Sequence, residues 1–193
     1  MPSPMPPSPP YTELHCLSCF SFLRAASHPR ELVTQAAVNG YAGLAITDEC
    51  SLAGVVKAHV AAKEHGLHLI IGSEFQLAEG IRLVVLAPTR AAYGELSGMI
   101  SLGRRRSPKG EYHVALRDVI FHLKRCLLIW LPRDDSESTR GYGRQLARLC
   151  RERVWIGVHY LLGNDELRRY RALQDLGRDL QLPLVACGDV QMH

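Results

Sequence analysis

The sequence has no long apolar run, and its first residues lack the pattern of a secretory leader. Its longest uninterrupted apolar stretch, Cys126–Leu131, has six residues, whereas a membrane-spanning helix needs about 20. The start, Met1–Pro10, holds six prolines and no charged residue, so it lacks the basic beginning and the apolar core of a signal peptide. We therefore expect a disordered lead-in over residues 1–10, a cytoplasmic location and no membrane partner.

Signatures of other function classes are missing as well. Cys16 and Cys19 form a single Cys-x-x-C, and no second pair exists to complete a structural zinc site. No glycine-rich phosphate loop and no pattern of stacking aromatic residues stand out. Because the six cysteines occur without a secretory signal, we expect reduced thiols. Cys16 and Cys19 are then predicted to be small buried or half-buried side chains.

The composition that is present is that of an ordinary globular protein, with 47% hydrophobic residues, 22% charged residues and a net charge of +4. This composition and the length of 193 residues predict one domain with a real core over residues 11–193. The mild positive charge is compatible with a nucleic-acid partner but does not require one.

Short apolar runs alternate with helical patterns along the chain. Seven strands are predicted, at Tyr11–Leu14, Gly43–Thr47, Leu67–Ile71, Ile81–Ala87, Cys126–Leu131, Val154–His159 and Leu184–Cys187. Helices are predicted between most of them, at Pro29–Asn39, Leu52–His65, Ala91–Leu102, Gly143–Arg151 and Asp165–Leu180. Strands that are apolar throughout, rather than at every second residue, indicate a parallel sheet covered on both faces.

Polar side chains end five of the predicted strands, and these are His15, Asp48, Glu74, His159 and Asp189. Only a closed ring brings the ends of the first and last strands together, so the pattern favours a β/α barrel over an open sheet. Imidazoles and carboxylates bind zinc, manganese or iron, and several such ions could activate water for phosphoester hydrolysis. The alternative is that each residue caps a neighbouring helix, which explains any one of them better than it explains all five.

Four segments carry a family resemblance, and they are LHCLS at Leu14–Ser18, AITDE at Ala45–Glu49, GSEF at Gly72–Phe75 and ACGDVQMH at Ala186–His193. They resemble the metal motifs of the polymerase and histidinol phosphatase (PHP) domain. The longer segments FSFLRAASHPRELV, GYAGLAITDECSLAGVV and LPLVACGDVQMH are more closely similar to the amino-terminal PHP domain of bacterial error-prone C-family DNA polymerases. The resemblance covers roughly the whole chain after Pro10.

The resemblance implies an α/β fold, a distorted seven-stranded β/α barrel with up to three metals. Because the seventh predicted strand, Leu184–Cys187, ends six residues before His193, we also expect a barrel that lacks the helix covering this strand, and a chain that is marginally stable or self-associating. The parent protein would carry out template-directed DNA synthesis past lesions in damage-induced mutagenesis. Its partners would be DNA, polymerase domains beyond residue 193, and other mutagenesis or replication proteins. The chain alone would then have a structural role.

The chain departs from the family pattern at three histidines. The His-x-His motif has Leu17 in second place, the Asp-His motif has Glu49, and the Asp-x-His motif has Gln191. Leucine cannot bind a metal and glutamine is a weak neutral ligand, so several ligands are lost. We therefore expect little or no phosphoesterase chemistry and at most one weakly held divalent ion, which would be zinc, manganese or magnesium.

The candidate ligands for that ion are His15, Asp48, Glu49, Glu74, His159 and Asp189. His159 is chosen by its strand position alone and matches no family motif. Thiolates of Cys50 and Cys187 could complete a zinc site, although plain packing is the preferred interpretation.

Two basic elements have no assigned role at this stage, and they are Arg104–Arg106 with Lys109, and a helix face of Arg140, Arg144, Arg148 and Arg151. They could contact DNA phosphate or another polymerase domain, or be an ordinary solvated surface. The rival function is a free-standing PHP phosphoesterase that acts on a small phosphate monoester or a DNA 3′ end. A third hypothesis is a plain scaffold or interaction domain.

Overall fold

The computed structural model describes residues 10–134, 136–159 and 165–192. The lead-in predicted for residues 1–10 lies outside the described residues apart from Pro10. No helix within the described ranges is both long and apolar enough to cross a membrane.

Seven strands form one sheet whose spatial order follows the chain. They are β1 (Thr12–Cys16), β2 (Gly43–Ile46), β3 (His68–Gln76), β4 (Arg82–Leu86), β5 (Leu127–Leu131), β6 (Val154–Val158) and β7 (Leu184–Ala186). All seven were predicted, with small differences at their ends, because each is a compact apolar run. The largest difference is β3, which continues five residues beyond its predicted end at Ile71.

The prediction of a purely parallel sheet is wrong at β4, which runs antiparallel to both β3 and β5. A tight turn joins β3 to β4, in which the Leu77 amide donates to the Ile81 carbonyl at 2.8 Å and Gly80 has a φ of 82°. Parallel neighbours need a crossover of a dozen or more residues, and this connection is far shorter. The first residues of β4 therefore lie beside the last residues of β3.

The sheet curls until its two outer strands meet at their carboxyl ends. Cys16 forms a parallel bridge with Val190, and the Val190 amide donates to the His15 carbonyl at 3.0 Å. The buried Glu13 carboxylate reinforces this junction, since it accepts hydrogen bonds from the amides of His15 at 2.7 Å and Gly188 at 2.8 Å. A Cβ atom at Gly188 would collide with that carboxylate, so the close approach requires glycine. The prediction of a distorted seven-stranded β/α barrel is confirmed.

Within the described residues, the outside of the sheet is covered by six α-helices, and they are α1 (Pro29–Val38), α2 (Val55–His65), α3 (Arg90–Arg105), α4 (Leu116–His122), α5 (Glu137–Cys150) and α6 (Glu166–Leu180). Helix α3 extends three residues past its predicted end at Leu102. Helix α5 begins six residues before its predicted start at Gly143, because Ser136 caps it by accepting a hydrogen bond from the Thr139 amide.

Apolar side chains fill both the barrel interior and the space under the helices. The interior cluster is Ala45, Val84, Leu86, Ile129, Leu131 and Cys187. The last strand is only half covered, with Leu184 and Val185 half-buried and Ala186 exposed. The polar residues at the carboxyl ends of the strands lie above the interior cluster, and this end of the barrel is called the carboxyl rim below.

Candidate metal centre

Three of the predicted ligands converge at the carboxyl rim. His15 lies in β1, His159 follows β6, and Asp189 follows β7. Ligand atoms of these three side chains all lie within 4.8 Å of one another. His15 Nδ1 is 3.4 Å from His159 Nε2 and 3.5 Å from Asp189 Oδ1. Asp189 adopts a left-handed backbone with a φ of 52°, a conformation that aspartate tolerates better than most residues.

Glu74 supports this cluster from within β3, where its side chain is almost fully buried. Its Oε2 lies 2.6 Å from His15 Nε2, so the carboxylate orients the imidazole and leaves Nδ1 facing His159 and Asp189. A carboxylate on the second nitrogen of a histidine is the usual outer partner of a metal-bound imidazole. Glu74 is therefore placed to position His15 as well as to offer an oxygen itself.

Two arginines that sequence reasoning missed lie among the carboxylates. Arg24 Nη1 is 2.7 Å from Glu49 Oε2 and 2.6 Å from Glu74 Oε1. Arg82 Nη2 is 2.8 Å from Glu74 Oε2 and 2.9 Å from Asp189 Oδ1. The two guanidinium groups thus bridge three carboxylates, and we call these five side chains the arginine network.

The arginine network keeps Glu74 ionised. Burial by itself raises the pKa of this carboxyl, but hydrogen bonds from His15, Arg82 and Arg24 outweigh burial and hold the pKa well below its ordinary value. A buried carboxylate needs such partners, because an unpaired charge in the interior is strongly unfavourable. The arginines therefore supply the positive charge that metal ions supply in a loaded metal centre.

Arg82 lies at the site because β4 runs antiparallel to its two neighbours. In the predicted parallel sheet the start of β4 would lie at the opposite end of the barrel. The antiparallel hairpin instead pairs Arg82 with Gln76, two residues beyond Glu74. The sequence contains a signal for the antiparallel direction of β4. Only nine residues separate the predicted strands Leu67–Ile71 and Ile81–Ala87, which is too few for a parallel crossover.

Asp48 lies apart from the converging ligands. Its carboxylate accepts hydrogen bonds from the Ser18 amide, the Ser18 hydroxyl and the Ser21 hydroxyl, each at 2.7 Å. These donors belong to the loop between β1 and α1, so the structure places Asp48 as the anchor of that loop. Ser18 and Ser21 were not singled out from the sequence.

Glu49 lies at the edge of the site rather than in the cluster. Besides Arg24, its carboxylate accepts a hydrogen bond from the Tyr112 hydroxyl at 2.8 Å. Burial, with a further contribution from the Glu49 hydrogen bond, raises the pKa of Tyr112. The tyrosine therefore stays protonated and keeps donating across the physiological range.

The positions where family histidines are replaced do not add ligands. Leu17 is completely buried, and its amide donates to the Val190 carbonyl at 2.8 Å. Gln191 has an exposed side chain, and its carbonyl accepts from the Ala26 amide at 3.2 Å. The Leu17 contact thus holds the barrel closure, and the Gln191 contact joins the end of the chain to the loop between β1 and α1.

The thiols behave as packing side chains. Burial raises the pKa of Cys50 to about 11 and that of Cys187 to about 12, and neither belongs to the ligand group formed by His15, His159 and Asp189. Cys16 is buried and Cys19 is half-buried, with its sulfur 3.1 Å from His28 Nδ1. These placements agree with the packing interpretation drawn from the sequence.

The spacing of the ligand atoms in the cluster suits one metal ion. Ligand atoms around a tetrahedral zinc ion with bonds of about 2.1 Å lie roughly 3.4 Å apart, which matches the two separations made by His15 Nδ1. Burial, aided by nearby positive charge, lowers the pKa of His159 to about 4, so its imidazole is neutral and keeps a lone pair for a ligand bond. The donor set therefore fits one ion, but Arg82 competes with that ion for Asp189.

The basic elements are largely engaged within the protein. Arg104 donates to the carbonyls of Cys50 and Gly110, and Arg106 pairs with Asp118 at 2.8 Å. On α5, Arg140 pairs with Asp179 at 2.9 Å and Arg144 pairs with Glu137. These contacts favour structural roles over a continuous surface for nucleic acid.

A curled seven-stranded sheet with histidine and carboxylate side chains at its carboxyl rim defines one class of protein, and the chain belongs to the PHP domain family. The sequence description of that family matches residues 13–133. The chain is 54% identical over 184 residues to the error-prone DNA polymerase of Methylococcus capsulatus, covering 95% of this chain and 17% of that polymerase. It is 51% identical over 183 residues to the error-prone DNA polymerase of Saccharophagus degradans, covering 95% of this chain and 18% of that protein.

The chain thus spans less than a fifth of the length of these curated relatives, and the similarity to PHP domains of error-prone polymerases inferred from the sequence is confirmed. Solved structures agree on the fold. An amidohydrolase from Chromobacterium violaceum, solved with bound sulfate and no metal, has a TM-score of 0.68 at 15% identity, covering 94% of this chain and 87% of that one. A two-domain Bacteroides vulgatus protein with a PHP-like domain has a TM-score of 0.59 at 13% identity, covering 94% of this chain and 52% of that one.

Proposed function

We propose that this chain is the PHP domain of an error-prone DNA polymerase and that its own role is structural. The parent protein would synthesise DNA past lesions during damage-induced mutagenesis in the cytoplasm. Its partners would be DNA, the remaining polymerase domains, and other mutagenesis or replication proteins. Support comes from the identity of about half the residues to such polymerases, over nearly the whole chain.

The observation that carries the structural role is the arginine network. Two guanidinium groups bridge Glu49, Glu74 and Asp189, and these ion pairs would hold the barrel rim together without several metal ions. Removing one partner from a buried charge pair typically costs about 3–5 kcal/mol. The polar rim would therefore stabilise the barrel whether or not an ion is bound.

A single weakly held divalent ion is the second part of the proposal. His15, His159 and Asp189 would hold it, with zinc favoured over manganese or magnesium because two of the three donors are nitrogens. Such an ion would supply Lewis acidity when bound. Glu74 would fix the His15 ring in position for the ion. Arg82 would weaken binding, because its guanidinium group pairs with Asp189.

The experiment compares thermal unfolding in EDTA with unfolding in added zinc or manganese, and tests hydrolysis of a phosphate monoester and of a DNA 3′ end. We expect an unfolding temperature that changes little with EDTA, and no turnover above that of a His159→Ala, Asp189→Asn double variant. Metal-dependent turnover that disappears in the double variant would instead support a free-standing phosphoesterase. This is the second candidate function, and the ligand group formed by His15, His159 and Asp189 supports it.

A further inference from the structure

An apolar cavity of about 350 Å³ opens at the end of the barrel opposite the carboxyl rim. Two residues of its lining, His68 and Leu127, are the first residues of β3 and β5, and a third, Leu86, is the last residue of the reversed strand β4. Leu14 and Val185 line the cavity from the two outer strands. The cavity is therefore the amino end of the barrel interior, and none of these lining residues belongs to the metal centre.

The wall of this cavity is mostly apolar and incompletely covered. Leu14, Leu127 and Val185 pack against the interior cluster, yet each remains half-buried. Trp155 and His68 add an indole N–H and an imidazole to the lining, and neither side chain makes a hydrogen bond within the part of the chain that the structure describes. Apolar walls with a few polar groups are typical of a binding site.

The segment that leads into β1 lies beside the cavity. Thr12, the first residue of β1, pairs with Gly43, and Gly43 pairs with His68. Neighbouring strands are about 4.8 Å apart, so Thr12 is separated from His68 by about 10 Å. Residues 1–9 precede this point and lie outside the described ranges. Nine residues of polyproline helix reach roughly 28 Å, which is long enough to cross the cavity.

The composition of Met1–Pro9 suits an apolar site. It contains five prolines, two methionines, two serines and no charged side chain. Methionine side chains fill irregular apolar spaces, and prolines lose little conformational freedom on binding because their φ is already fixed. Such a segment buries too little apolar surface to order itself, so an external apolar surface is what would fix it.

The hydrogen-bonding groups of the segment also match those of the cavity. Proline has no N–H, so Met1–Pro9 presents mainly carbonyl acceptors. The indole N–H of Trp155 is a donor, and the imidazole of His68 carries an N–H as well. Proline-rich segments bind to other proteins in this way, on surfaces that contain aromatic side chains.

We propose that Met1–Pro9 folds back over the amino end of the barrel and closes this cavity. Its methionine and proline side chains pack against Leu14, Leu127 and Val185, and its carbonyls accept hydrogen bonds from Trp155 and His68. The occupant is this segment of the same chain, not a small molecule or a second copy. The inference is independent of the proposed function, because neither a metal ion nor a polymerase domain takes part.

The first test is NMR of the full chain with labelled methionine methyl groups. We expect nuclear Overhauser contacts between the Trp155 ring and the methyl group of Met1 or Met5, assigned with the Met5→Leu and Trp155→Phe variants. A Met5→Asp, Pro7→Asp double variant should lose these contacts, because it brings two charges to an apolar site. Wild-type methyl groups of Met1 and Met5 without any such contact would overturn the proposal. Contacts found only between differently labelled copies in a mixed sample would overturn it as well, because the occupant would then be a second copy.

The second test is quenching of tryptophan fluorescence by acrylamide. The chain has two tryptophans, and Trp130 is 2% exposed, so quenching reports mainly on Trp155. The quenching constant should rise about twofold in the Met5→Asp, Pro7→Asp variant, because an indole packed against apolar chain is shielded from solvent. The matched control is Ser101→Asp with Pro108→Asp, which adds the same charge at exposed positions outside the cavity lining and should leave the constant unchanged.

Equal quenching in the wild type and the segment variant would show that the cavity is open in both, and this result would refute the proposal. An equal rise in the segment variant and the control would refute it too, because added charge alone would then explain the effect. Both double variants should keep the circular dichroism spectrum of the wild type, since the substitutions lie outside the strands. A change in quenching then reports on the cover of the cavity and not on unfolding.

Discussion

Replacing Arg82 with alanine tests whether the arginine network stabilises the barrel. Arg82 is 20% exposed, whereas its partners Glu74 and Asp189 are 1% and 15% exposed, so both carboxylates would lose a partner in a poorly solvated place. A hydrogen bond to a charged group contributes about 1.5–3 kcal/mol, and Glu74 would keep His15 and Arg24. We therefore expect the free energy of unfolding to fall by about 2–3 kcal/mol, which is less than the typical cost of about 3–5 kcal/mol for breaking a fully buried pair.

The assay is unfolding followed by circular dichroism, with heat and with urea. For a domain of this size 1 kcal/mol corresponds to a shift of about 2–4 °C in the midpoint, so Arg82→Ala should melt roughly 5–10 °C lower. Arg148→Ala, at an exposed position on α5, is the control and should change stability by less than about 0.5 kcal/mol. Adding Asp189→Asn to Arg82→Ala should recover part of the loss, because one unpaired carboxylate is removed.

Acid unfolding gives an independent measurement of the same network. The pKa of Glu74 is held low by its partners, so its contribution is present above the unfolded value of 4.5 and is lost as the pH falls below that value. With Arg82 removed, the pKa should lie closer to its ordinary value and the acid-dependent loss should be smaller. An Arg82→Ala variant with wild-type stability and wild-type acid dependence would refute the role of the network.

Further predictions concern the metal, the loop anchor and the closure of the barrel. Arg82→Ala should bind zinc more tightly in calorimetry, because Asp189 is released to the ion. Asp48→Ala should lower stability by about 3 kcal/mol, because three buried hydrogen bonds to the carboxylate are lost, while zinc affinity stays within twofold. The free energy of unfolding should rise with pH between about 4 and 6.5, because the pKa of His159 is lowered in the folded state and the unfolded chain binds the extra proton. The His159→Gln variant should show a smaller rise when stability is measured by urea titration at several pH values. Gly188→Ala should lower the melting temperature, because the added Cβ meets Glu13.

Each of these predictions has an outcome that contradicts it. Unchanged zinc affinity in Arg82→Ala would show that the guanidinium does not compete with the ion. Loss of zinc binding in a stable Asp48→Ala protein would make Asp48 a ligand rather than a loop anchor. An identical pH slope in His159→Gln would assign that slope to other groups, and a Gly188→Ala protein as stable as the wild type would show that the closure can relax.

The sequence alone determined the strands and the residues that they carry to the rim. A strand such as Leu127–Leu131 can be recognised from local sequence, because a strand buried on both faces needs consecutive apolar residues. The barrel rule then places the strand ends on one rim, which is why His15, His159 and Asp189 could be predicted to meet. The family resemblance followed from the same segments, and its three missing histidines were visible without any coordinates.

Only the tertiary structure decided the direction of β4 and the partners of each charge. The reversal of one strand, fixed by a turn of a few residues, moves Arg82 from one end of the barrel to the other. The long side chain of Arg24, which lies in a loop, reaches Glu49 and Glu74. The Asp48 carboxylate accepts hydrogen bonds from Ser18 and Ser21 instead of approaching the histidines. Ion pairing depends on distances between residues far apart in the chain, and no local pattern in the sequence encodes those distances.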